Sequence, residues 1–179
     1  TNVNCEEPYA FMYLWQICIN DTVCMGRTWH ELLSFFDNLI EALQLSAGRK
    51  IIIYIHNFSF EFQFMRSFFN FTKIFARAKR KPIKAEAYNG AIEFRCSYYL
   101  SNMNLQKFCE NSKNCIHYKL DGEQFDYSKM RTPETALSAY EIGYAYNDVR
   151  GLCECIADRL EDDTLFTIPL TSTGYVRRE

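Results

Sequence analysis

Apolar residues run without a break at Ile51-Ile-Ile-Tyr-Ile55, and at His56-Asn57 the pattern changes its period. Such a run reads as a strand that is apolar on both faces, as at the centre of a parallel sheet. From residue 58 to residue 71 the apolar positions recur at helical spacing. Asn57 and Glu61 therefore stand where a buried strand gives way to a helix. In open α/β sheets, ligands bind in the crevice outside the carboxyl ends of the strands. Asn57 and Glu61 are four residues apart and can face one such crevice, which makes Glu61 a site candidate on position alone.

The same reading extends in both directions. Residues 10–20 are apolar and aromatic and predict a strand, Asn20-Asp21 a turn, and Thr22–Gly26 a returning strand. Thr28-Trp-His-Glu31 matches a capping box, and Leu32, Leu33, Phe36, Leu39, Ile40 and Leu43 follow at a spacing of 3.6. Beyond the central run, residues 73–78 and 84–88 predict strands around a Lys81-Pro82 turn. Asn89-Gly90 signals a hairpin returning through residues 91–98. Residues 100–110 predict a helix. A last helix is expected from Thr132-Pro133-Glu134-Thr135, with Pro in its first turn, to about Leu160. Residues 1–163 thus form one domain, and 164–179, with Pro169 and Gly174, read as a polar tail leading to a further domain. The order predicts an α/β protein with a mixed sheet flanked by helices.

Composition narrows the picture only a little. With 179 residues and 48% hydrophobic content, one full core is within reach. A net charge of −2 gives no global positive field, although Lys73, Arg77, Lys79, Arg80, Lys81 and Lys84 form a local basic run that reads equally well as a solvated hairpin. The eight cysteines are irregularly spaced, and the domain is too large to need disulfide staples. Cys153 and Cys155 point to different sides of a helix. Cys109, Cys115 and His117 lack a CxxC half, so no zinc is expected and the thiols read as free in a reducing cytoplasm. No apolar run is long enough for a membrane span. His56 reads as a hydrogen-bonded strand-end residue. Phe62, Phe64, Phe68, Phe69, Trp15 and Trp29 read as packing residues.

The chemistry gathers around carboxylates. Tyr144 and Asp148 share a helix face, with Glu141 one turn away on that side. Carboxylate oxygens hold Mg²⁺ or Mn²⁺, which polarise a phosphate and generate hydroxide near neutral pH. Asn57-x-x-Phe60-Glu61 followed by Tyr144-x-x-x-Asp148 resembles the second and third exonuclease motifs of family B DNA polymerases, which read Asn-x-x-Phe/Tyr-Asp and Tyr-x-x-x-Asp. Tyr127 in Phe-Asp-Tyr, Thr132-Pro-Glu134, and Pro169-Leu-Thr-Ser-Thr-Gly-Tyr-Val-Arg-Arg178 resemble the protein-primed phage and organellar branch.

That resemblance covers nearly the whole chain and implies a ribonuclease-H-like exonuclease fold. It implies a 3′–5′ proofreading exonuclease acting on the 3′ end of single-stranded DNA through two Mg²⁺ or Mn²⁺ ions. The partners would be a primer terminus and a polymerase domain of the same parent chain, in the bacterial cytoplasm and encoded by a phage or prophage. By the same resemblance Asp148 and Glu61 are metal ligands, with Glu61 where the family usually has Asp, and Tyr144 positions the attacking water. Asn57, Phe60 and Ser101 contact single-stranded DNA, and Tyr127 steadies the primer terminus. Lys119 is the nearest match to a catalytic lysine, though out of register. Asn102 replaces the Leu of the motif around Ser101. The family's Asp-x-Glu opening strand has no match, and Thr1 reads as the threonine just after it. The first strand is therefore expected to be truncated and nuclease activity weak or absent. A non-catalytic single-strand-binding module of the same fold is the alternative, and a thiol-rich interaction or metal-binding protein is a third reading.

Overall fold

The structure, a computed structural model, describes residues 11–120, 122 and 125–177. A hairpin of β1 (Trp15–Ile19) and β2 (Thr22–Gly26) leads into α1 (Trp29–Leu43). The capping box at α1 is formed as expected: Thr28 accepts from the Glu31 N–H while the Glu31 carboxylate takes the Thr28 N–H. Next come β3 (Ile51–Ile55), α2 (Phe58–Met65), β4 (Phe71–Ala78), β5 (Lys81–Ala87), and β6 (Ile92–Cys96) after a 3₁₀ turn over Tyr88–Gly90. The chain closes with α3 (Ser97–Ser101), α4 (Leu105–Glu110), α5 (Ala139–Asp162) and α6 (Ser172–Val176). The result is a mixed α/β domain.

The four-stranded sheet has the order β3-β6-β5-β4, with β3 parallel to β6 and the other neighbours antiparallel. Ile51–Ile55 was expected at the sheet centre, yet β3 lies at an edge and all five of its residues are only half-buried. Its composition suits a strand covered on both sides, whereas among the described residues it pairs with β6 alone.

Alternation along β5 and β6 divides the sheet into two faces. Phe94, Ala85 and Ala87 are buried in an aromatic core, where the Phe94 ring lies 5.7 Å from Phe69, 5.9 Å from Phe58 and 6.2 Å from Phe36. Trp15 joins this core, while Phe68 is exposed and stacks on Trp29 at 4.2 Å. On the opposite face Glu86 and Glu93 are buried and held by Lys50, Lys84 and Arg95. A second core joins Leu100, Phe108, Leu152, Cys155 and Ile156 under α4 and α5.

Several predicted boundaries move. The β4–β5 turn falls before Lys81, where Arg80 has φ +61°, and Pro82 sits inside β5 opposite Ala76. The helix expected over 100–110 is broken at Asn102, whose φ of +56° ends α3. The last helix starts at Ala139, not at Thr132: Ser138 is its cap and Glu141 completes a second capping box. Thr132 and Thr135 instead form a turn whose carbonyls accept from Arg27 at 2.8 and 2.7 Å. Within 164–177, Ile168 is buried in the second core and α6 packs near α3. Among the described residues no helix is long and apolar enough to cross a membrane.

Candidate active-site cleft

A cavity of about 1750 Å³ opens between the hairpin and α5 on one side and β3 and α2 on the other. Every residue of β1 and every residue of β3 lines it. Side chains alternate between the faces of a strand, so a cavity lying against one face would meet every second residue. Contact with consecutive residues places the cavity against the edges of both strands. Neither edge is paired across it among the described residues. The far wall is fixed by arginines: Arg150 donates to the Asn20 carbonyl at 2.7 Å and pairs with Asp21, and Arg27 ties β2 to the turn at 132–135.

Asn57, Phe60, Glu61, Lys119, Tyr127, Tyr144 and Asp148 all line this cavity. Asn57 stands between β3 and α2 with φ +57°, a left-handed conformation that Asn tolerates better than most residues and that turns the chain sharply into the helix. Glu61 follows in the first turn of α2. It is open to solvent on the cavity side but crowded by protein elsewhere, and this desolvation raises its carboxyl above the ordinary value. Phe60 is 58% exposed, braced edge-on by Phe64 at 5.2 Å. An aromatic ring left on a cavity wall can stack on a base or sugar.

The opposite wall is supplied by α5. Asp148 Oδ2 accepts from Lys119 Nζ at 3.3 Å, whereas its Oδ1 is buried without a hydrogen-bond partner among the described residues. Burial raises the Asp148 carboxyl, with Lys119 opposing. Burial works against the Lys119 charge, but Asp148 and Tyr144 outweigh it and the ammonium is held more tightly protonated. Lys119 also sits 5.1 Å from the Tyr144 ring centroid. Burial pushes the Tyr144 phenol up to about 12. Its hydroxyl is 3.5 Å from that of Tyr127.

Ser101 is not brought to the cleft. It is buried, and its hydroxyl donates to the Ser97 carbonyl at 3.0 Å. Glu141, although on the same helix, is committed to its capping box and to Arg131. Those contacts, led by the Ser138 N–H, hold its carboxyl down at about 2. His56 accepts or donates a 3.0 Å hydrogen bond with Ser97, and burial, with Lys119 adding repulsion, lowers it to about 4.

Sequence reasoning missed Phe125. Its ring stands 5.1 Å from Tyr144 and 4.9 Å from Tyr127, with the Arg131 guanidinium 4.4 Å away on it. The Phe-Asp-Tyr motif had named Tyr127 only, although its first residue carried the signal.

The donors present are hard carboxylate oxygens, the chemistry that suits a divalent cation, and Asp148 Oδ1 is buried with no hydrogen-bond partner among the described residues. Searches against protein-family models, curated proteins and solved structures returned no match for this chain.

Proposed function

We propose that this cleft is a 3′–5′ exonuclease site of the kind that proofreads in family B DNA polymerases, built on a ribonuclease-H-like fold. The observation that carries the reading is convergence. Residues from two distant motifs, Asn57, Phe60 and Glu61 on one side and Tyr144 and Asp148 on the other, face one cavity, with Lys119 against Asp148 and Tyr127 against Tyr144.

Glu61 and Asp148 would hold Mg²⁺ or Mn²⁺, which supplies phosphate polarisation and a water of lowered pKa. Phe60 offers a ring for the terminal nucleotide, and Asn57 a polar contact beside it. Lys119 places positive charge next to Asp148 and can offset the phosphate. Tyr144, protonated at neutral pH, can hydrogen-bond an attacking water and orient it.

Two carboxylates are fewer than a two-metal site needs. The cavity between the edges of β1 and β3, unpaired among the described residues, has room for a further extended segment carrying acidic residues. The small carboxylate set also favours the second reading, a single-strand-binding module that does not cut.

A 3′-labelled single strand with Mg²⁺ or Mn²⁺ separates the two. Residues 1–179 are expected to bind and cut slowly or not at all. The same domain with an Asp-x-Glu strand joined ahead of Thr1 is expected to degrade from the 3′ end, and Asp148→Ala in that background to abolish it. Binding without cutting by the extended protein would favour the non-catalytic module.

A further inference from the structure

Three thiols meet in the second core. Cys109 comes from the last turn of α4, Cys115 from the segment after it, and Cys155 from α5, with exposures of 1%, 4% and 0%. Their sulfurs all lie within 4.8 Å of one another, and Cys109 and Cys155 are 3.7 Å apart. Zinc bound by thiolates at about 2.3 Å in a tetrahedron holds neighbouring sulfurs about 3.8 Å apart. Small side-chain adjustments would close these three on an ion.

We propose that Cys109, Cys115 and Cys155 form a structural zinc site, independent of the nuclease reading. By spacing, Cys109 and Cys115 with His117 make no zinc-binding motif. The fold substitutes Cys155, which arrives from a helix far along the chain and completes a set that no local motif announces. His117 stays outside the set, its Nδ1 held 2.6 Å from Glu154. The carbonyl oxygens of His117 and Gly151 stand 3.7 and 3.9 Å from Cys115 Sγ, and a fourth donor, such as water, would complete the coordination.

On binding, three S–H protons pass to solvent as three S–Zn bonds form, with no change of oxidation state. The three thiolates and Zn²⁺ leave one net negative charge in an apolar core. Copper(I) in the same place would leave two, and a buried charge is costly. That difference favours zinc.

The site would staple the 111–118 segment to α4 and α5. That segment already runs tightly over α5, since a Cβ at Gly151 would lie 2.3 Å from the His117 carbonyl oxygen. It delivers Lys119 to Asp148, so the metal would hold one wall of the cleft in place.

The test uses residues 1–179, purified with reductant and without chelator, and analysed for metal before and after reconstitution with zinc. One zinc per chain is expected, and Co²⁺ added to the metal-free protein should give thiolate-to-cobalt charge-transfer absorption. Cys155→Ser and Cys115→Ser should lose stoichiometric binding. Cys153→Ser should keep it, because that thiol points to the Asn20 carbonyl at 3.4 Å. Absence of zinc after reconstitution, with no cobalt–thiolate band in the unmodified chain, would overturn the assignment whatever the variants do. Uptake of copper(I) but not zinc would overturn it too, as would isolation of a Cys109–Cys155 disulfide from the reduced preparation.

Discussion

Asp148 keeps one oxygen on Lys119 and leaves the other buried and unpartnered among the described residues, an arrangement that costs stability unless something binds there. Asp148→Asn, which fills the same space without charge, is expected to shift the melting temperature by less than about 3 °C, while removing divalent-ion binding measured by Mn²⁺ relaxation. His56 and Glu141 make opposite statements about pH. His56 is depressed from 6.5 to about 4, so its contribution is complete above 6.5 and is lost as the pH falls towards 4. Its imidazole resonances should titrate near that lower value by NMR. Glu141 is depressed from 4.5 to about 2, so its contribution holds above 4.5 and is lost as the pH falls towards 2. Glu141→Gln breaks a buried pair with Arg131 and is expected to cost about 3 kcal/mol at pH 7. In urea titrations that difference should shrink steadily as the pH approaches 2. At this scale the sequence was informative where chemistry is local. Tyr144 and Asp148 share a face by helical geometry alone, but that Lys119 reaches Asp148 depends on how the 111–118 segment crosses α5, which no spacing reveals.

Elements were legible when their ends carried caps. Thr28 and Glu31 located α1 correctly, and the same pattern at Ser138 and Glu141 marks α5. Pro133 and Thr132 offer an earlier start in the sequence, whereas the backbone there turns to receive Arg27. The break at Asn102 was hidden for a different reason: Asn adopts the left-handed conformation that ends α3 without a Gly or Pro to announce it. Gly151 is a counter-case to helix propensity. Alanine is favoured over glycine inside a helix by about 1 kcal/mol, yet here the added carbon would meet the His117 carbonyl at 2.3 Å. Gly151→Ala is therefore expected to destabilise the protein by about 2 kcal/mol, as overpacking does. Thermal unfolding followed by circular dichroism reads the sign directly. A rise in melting temperature would show that the segment over α5 yields easily.

Across the whole molecule, two cores both contribute residues to the cleft lining, one gathered around Phe94 and the other around Phe108 and Cys155. The α/β class followed from the alternation of strand-like and helical runs. The sheet order did not, because an all-apolar strand such as Ile51–Ile55 reads the same at an edge as at a centre. The order of the sheet has a kinetic consequence. Strands β4, β5 and β6 join through short turns, so their pairing closes small loops and can form early. Strand β3 must wait for Ile51 to find Ile92 across the intervening chain. The wall of the cleft is then assembled late, on the native side of the folding barrier. Ile53→Val, costing about 1 kcal/mol, should leave the refolding rate nearly unchanged and accelerate unfolding by about fivefold. Stopped-flow fluorescence from Trp15 and Trp29 would measure both limbs. A slowed refolding limb would instead mean that β3 docks before the meander is complete. On the late-docking order, the cleft can open and close many times without the rest of the domain unfolding.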